Sequence, residues 1–176
     1  HGGARPAAST GDDAMINAEL LQTVALDFLL AAITSAGFAV LFSVPRRLLL
    51  ASALLGGIAH SMRAALQLGF GLPVEWSTLA ASMIIGIVAV LLARRLRAPA
   101  LIFAIAASIP LIPGIPAYTA MINFLQASTQ PSLELAQAHL ATALLSFLKA
   151  ALILSSIGIG VAVPSLLMFR RPPTQD

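Results

Sequence analysis

His60 and Arg63 stand three residues apart inside an apolar stretch, so on a helix they share a face. Arg63 lies seven residues, about 10 Å, from the end of that stretch, deep enough that its cation must face protein or water. One reading makes the two an anion-attracting pair, with His60 also able to exchange a proton. The other makes Arg63 structural, either snorkelling outward or pairing with Asp27, which falls at similar depth on the preceding apolar run. The spacing allows both.

The second chemical signal is a run of helix breakers. Between Ile109 and Tyr118 the chain places Pro110, Pro113, Gly114 and Pro116, and no regular helix passes through that density. Counting from Ala98, Pro110 lies about 18 Å into a membrane, near its midplane. Backbone left unpaired there must be packed in protein or line a hydrated cavity. A half-helix starting near Pro116 offers free amides and the positive end of its dipole to a carboxylate, and Ser108, Tyr118, Thr119 and Asn123 add hydroxyl and amide groups nearby. The alternative is a kink that only lets neighbouring helices pack. Lys149 is a candidate substrate ligand, but it precedes a charge-free stretch, Ala150 to Phe169, already long enough to span, so the reading as an interfacial anchor is favoured, and His139 is read the same way.

The elements that must position these groups are membrane helices. The chain has 176 residues, 59% of them hydrophobic and 10% charged, with a mean hydropathy of +0.93; soluble domains carry about 45–50% apolar residues. At about 20 apolar residues per crossing, it can supply five spans and little else. The runs are Leu20 to Val44, Leu48 to Phe70, Glu75 to Ala93, a broken run from Ala98 to Leu125 and, after a polar connection from Gln126 to Gln137, a last run ending at Arg170-Arg171. The expected fold is therefore all-α, a polytopic membrane helix bundle of about five spans with a broken fourth helix. Glu75 and Trp76 mark one boundary, the tryptophan as an interfacial anchor. Residues 1–14 are read as a cloning scar or disordered tail, and residues 15–176 as a single transmembrane domain.

Arg46, Arg47, Arg94, Arg95, Arg97, Arg170 and Arg171 all fall on one side of the alternating spans, and Asp12, Asp13, Glu19, Glu75 and Glu134 on the other. The positive-inside rule then puts the N-terminus outside and the C-terminus in the cytoplasm. Basic residues clustered in this way orient a membrane protein and do not describe a nucleic-acid surface. The chain has no Cys, which removes thiolate chemistry, and it shows no nucleophile elbow, zinc-binding helix pair, phosphate loop or carboxylate cluster. No catalytic residue, cofactor or metal site is assigned; a His60–Ser61 arrangement is the one enzymatic option left. Small residues recur at helical spacing in Ala53, Gly57 and Ser61, in Ser82 and Gly86, and in Ser156 and Gly160, and such rows pack helices closely, within the chain or against a partner.

Three segments read together carry a likeness: Gly57-Ile-Ala-His60-Ser-Met-Arg63, Glu75-Trp-Ser-Thr-Leu-Ala-Ala-Ser-Met83, and Ile109-Pro-Leu-Ile-Pro-Gly-Ile-Pro-Ala-Tyr-Thr-Ala-Met121. In order and spacing they resemble the YjjB-like small subunit of the threonine/serine exporter (ThrE) superfamily, over Leu20 to Arg171. The resemblance implies a bacterial inner-membrane transporter subunit, not an enzyme, and a larger YjjP-like membrane subunit as partner. It also implies a substrate among small carboxylates or amino acids, succinate and threonine or serine included. It brings no catalytic residue set. The expected partners are thus the lipid bilayer, the larger subunit and the substrate, with a homo-oligomer left open and nucleic acid excluded. The alternative function is a non-transporting scaffold that stabilises the larger subunit.

Overall fold

The computed structural model describes residues 10–169, with side chains described for 21–168. The described residues form six α-helices and no strand: α1 (Thr10–Leu41), α2 (Arg46–Phe70), α3 (Val74–Leu96), α4 (Ala100–Ser108), α5 (Gly114–Thr129) and α6 (Leu133–Phe169), with a single 3-10 turn, Ile109–Leu111, between α4 and α5. Among the described residues four helices are long and apolar enough to cross a membrane, or five if α4 and α5, bent by 55° at the break, are counted as one span. The chain is a multi-pass membrane helix bundle. Helix α1 already begins at Thr10, inside the segment read as a tail; residues 1–9 and the Arg170-Arg171 anchor lie outside the described residues.

Helix ends follow the breakers. Gly71 takes a left-handed conformation (φ 63°), its amide donates to the Gln67 carbonyl at 3.0 Å and the Leu72 amide to Leu66 at 3.3 Å, which together close α2 with a glycine cap. Pro73 then precedes α3, and Pro99 precedes α4. The connection expected from Gln126 to Gln137 is mostly helix, and only Gln130 to Ser132 separates α5 from α6. Its polar residues lie on exposed helix faces, where hydropathy alone reads them as loop.

Helix α1 packs on α2, α3 on α6 and α5 on α6, while α4 wedges against α2, α3 and α1. The centre is built from small residues: Ala104, Ala106 and Ala107 of α4, Ala59 of α2 and Ala81 and Ala89 of α3 surround Leu55, Ile85 and Phe103. Lipid tails are as apolar as leucine, so close approach and not hydrophobic exclusion holds such helices together. The small-residue rows serve this within the chain. A Cβ on Gly86 would lie 2.8 Å from the Val161 carbonyl of α6, and one on Gly160 would lie 3.0 Å from the Leu79 carbonyl of α3. Ser82 of the same row donates to the Ser156 carbonyl at 3.0 Å. Gly57 meets Phe28 of α1 in the same way. Because residue numbers rise together along the contact, α3 and α6 run parallel. Arg94, in the last turn of α3, donates to the Met168 carbonyl of α6 at 2.8 Å, a cation on a helix C-terminus. Arg46, Arg47, Arg95 and Arg97 share this basic end of the bundle.

Helix α6 has 37 residues and is about 55 Å long, well beyond a hydrocarbon core of about 30 Å. Its part from Leu133 to Lys149 runs about 24 Å past the first turn of α3 and pairs there with α5. Asn123 and His139 bridge the two helices at 3.0 Å.

Candidate functional site

The break between α4 and α5 follows from its prolines one bond at a time. Pro113 has no amide, so the Ile109 carbonyl takes its bond from Ile112 at 3.0 Å, tightening the chain into a 3-10 turn. Ile112, preceding a proline, is extended (ψ 132°). Pro113 (φ −80°, ψ 68°) then forms an inverse γ-turn, in which the Gly114 amide donates to Ile112 at 2.9 Å. Helix α5 starts with the Ala117 amide donating to Pro113 at 3.1 Å. Pro116 sits in its first turn, where an amide has no helical partner to lose.

This geometry orphans the Leu111 carbonyl, and Arg63 claims it. Its guanidinium donates to Leu111 at 3.0 Å and to Nδ1 of His60 at 3.1 Å. Arginine is always a donor, so Nδ1 must accept, which leaves the proton on Nε2 of a neutral imidazole. His60 also lies near the Pro110 carbonyl, the one polar group that this backbone offers it. The pair on α2 therefore faces the carbonyls that the break sets free, and Arg63 holds one of them. Asp27 is close enough to interact electrostatically with both, but forms no ion pair with Arg63 within 4.0 Å. Ser61 donates to Ile58 of its own helix, and the His60 ring is already engaged, so no dyad forms there.

Beside this clamp lies a cavity of about 350 Å³, lined by Arg63 and Gln67 of α2, Val74 of α3, Ile112 to Pro116 of the break, and Lys149 and Ile153 of α6. The volume lies at the small end of the range for ligand sites, about 300–1,000 Å³. Val74 is the first residue of α3, so the cavity sits toward the end of the bundle opposite the basic cluster, not at the midplane expected for Pro110. Of the first-turn amides of α5, Gly114 is used in the γ-turn and Pro116 has none, which leaves Ile115. The expected array of free amides is therefore reduced to one.

Among the other residues singled out from sequence, Pro113 and Gly114 line the cavity, while Ser108, Pro110, Tyr118, Thr119 and Asn123 do not. Ser108 bonds back to Ala104 and Ile105, Tyr118 points away from the core with 64% exposure, and Asn123 is held between the Thr119 carbonyl and His139. Glu75 and Trp76 line a separate groove between α3 and α6, with Leu152 and Ser156. Sequence reasoning passed over Gln67 and Val74, and favoured Lys149 as an interfacial anchor over a ligand. Among the described residues no group of three His, Asp or Glu side chains could hold a metal ion.

No solved structure matches this chain. The family model described as "Threonine/Serine exporter, ThrE" matches residues 27–167, a stretch that begins at Asp27 and takes in the clamp, the break and nearly all of α6. With most of its length matched, including every residue of the cavity, the chain belongs to the threonine/serine exporter family.

Proposed function

We infer that this chain is the small subunit of a two-component exporter in a bacterial inner membrane, moving a small carboxylate or hydroxy amino acid outward. The observation that carries this reading is the cavity at the helix break: it places Arg63, a cation that the bilayer alone would exclude, beside broken backbone inside a membrane bundle of an exporter family. Positive loops at one end put the N-terminus outside and the C-terminus in the cytoplasm. A larger YjjP-like subunit completes the transporter, and the exposed apolar side chains of α5 and the first half of α6, Phe124, Leu125, Leu144 and Phe147 among them, offer it a surface.

Each subunit reconstituted alone, and the two together, would be assayed for efflux of labelled succinate and threonine from vesicles. Flux is expected only from the pair. Full transport by the larger subunit alone would favour the scaffold alternative, in which this chain merely stabilises its partner.

A further inference from the structure

We propose that Lys149 is the second cation of the cavity and sets its preference for a ligand with two negative charges over a zwitterion. The proposal rests on the reading that this cavity is the substrate pathway. Lys149 lies on α6 and Arg63 on α2, 86 positions apart in sequence, and both line this open cavity together with residues 112–116 of the break. No acidic residue lines that space. The nearest carboxylate along the wall, Glu75, follows Val74 but faces the neighbouring groove with Leu152 and Ser156, and it makes no ion pair with Lys149 within 4.0 Å. Asp27 interacts electrostatically with Arg63 and does not line the cavity.

The chemistry follows from the count of charges. Arg63 is already committed to Leu111 and His60 through one nitrogen each, so its fork has donors left for a single carboxylate. A second carboxylate on the same ligand then meets the lysine, whose three donors are otherwise uncommitted among the described residues. An amino acid places its ammonium there instead, against a like charge with no acid to compensate it. Gln67 can accept or donate and does not discriminate.

The test uses the full chain co-reconstituted with a cysteine-free larger subunit, with efflux of succinate as dianion and threonine as zwitterion measured side by side. Lys149→Gln is expected to lower the succinate-to-threonine ratio of kcat/KM about tenfold or more, the scale of one charge-assisted hydrogen bond. Lys149→Arg keeps the charge and is expected to keep the ratio. A structural anchor would instead lower both fluxes in parallel, and an unchanged ratio in Lys149→Gln overturns the proposal. The pathway itself is tested by Ile115→Cys, on the cavity wall of a chain without cysteine. A bulky thiol reagent that blocks Ile115→Cys while the Lys149→Gln ratio stays unchanged defeats the lysine's role and leaves the pathway standing. Failure to block defeats the pathway, and the proposal with it.

Discussion

Replacing Gly86 by alanine adds one methyl group at the tightest point between α3 and α6. Its carbon would lie 2.8 Å from the Val161 carbonyl and 3.0 Å from that of Gly160, both backbone atoms that cannot swing aside. Pro164 has already removed the helical donor for Gly160, so this carbonyl is one that α6 cannot draw inward. Restoring an ordinary carbon–oxygen separation of about 3.5 Å moves the helices apart by about 0.7 Å, and a gap of that size forfeits about a quarter to a half of the dispersion energy along the contact. The Ser82 to Ser156 bond, now 3.0 Å, stretches toward its limit and adds about 0.6 kcal/mol, the average for interhelical polar contacts in membranes. The sum falls in the range of about 1–3 kcal/mol seen for overpacked sites. Trp76 is the single tryptophan and lines the α3–α6 groove, so its emission during detergent-induced unfolding reports this contact. At Gly158 and Gly37 a Cβ would meet nothing within 4 Å, so the two serve as controls. Gly86→Ala is expected to unfold at a lower detergent fraction than wild type, with Gly158→Ala and Gly37→Ala unchanged or slightly more stable. If Gly86→Ala and Gly158→Ala unfold together, the close-approach argument fails.

Arg63→Leu strips the donor from the Leu111 carbonyl and from His60, a loss of about 1–3 kcal/mol by the same unfolding assay, whereas Asp27→Asn breaks no ion pair and is expected to cost much less. Equal losses from the two would restore the Asp27 pairing that the sequence suggested. Replacing Pro110, Pro113 and Pro116 together by Ala favours a continuous helix through the break; insertion is expected to survive and export to be lost, and export at the wild-type rate would reduce the break to a packing kink. Single cysteines at Pro73 and Ser132 are expected to react with impermeant thiol reagents outside intact cells, and those at Ser43 and Ala98 to stay unlabelled. Labelling at position 98 from outside would invert the topology.

The spans were legible because a run of about 20 apolar residues needs no tertiary information to be read. The pairing of α5 with α6 was not, since Gln126, Ser128 and Gln137 look like loop until Asn123 and His139 are seen to satisfy each other across two helices. The small-residue rows were visible as periods, but a period names a face and not its neighbour. One signal went unused: Ser82 with Gly86 and Ser156 with Gly160 have the same spacing on spans expected to run in the same direction, the pattern that two parallel helices need in order to interlock. Arg63 divides in the same way. Its neighbour His60 follows from helical spacing, while its acceptor is a backbone carbonyl, and carbonyls leave no mark in residue types. The prolines were the available clue, because removing amides at positions 110, 113 and 116 must leave acceptors that a nearby donor will take.

Lys149 shows where such reading stops. The charge-free run after it favours an interfacial anchor over a substrate ligand, since its length alone suffices to span. That same length fixes the lysine's height. Helix α3 has 23 residues and lies parallel to α6, so Val74 and Lys149 reach the same level at the end opposite the basic cluster. Lys149 is exposed at that level, as an anchor is. The sharp turn at Pro113 also swings α5 against α6, so that residues 112–116 line one open cavity together with Lys149 and Arg63. What the lysine faces is thus set in part on a different helix, by prolines more than thirty positions away, and no property of α6 alone could have revealed it.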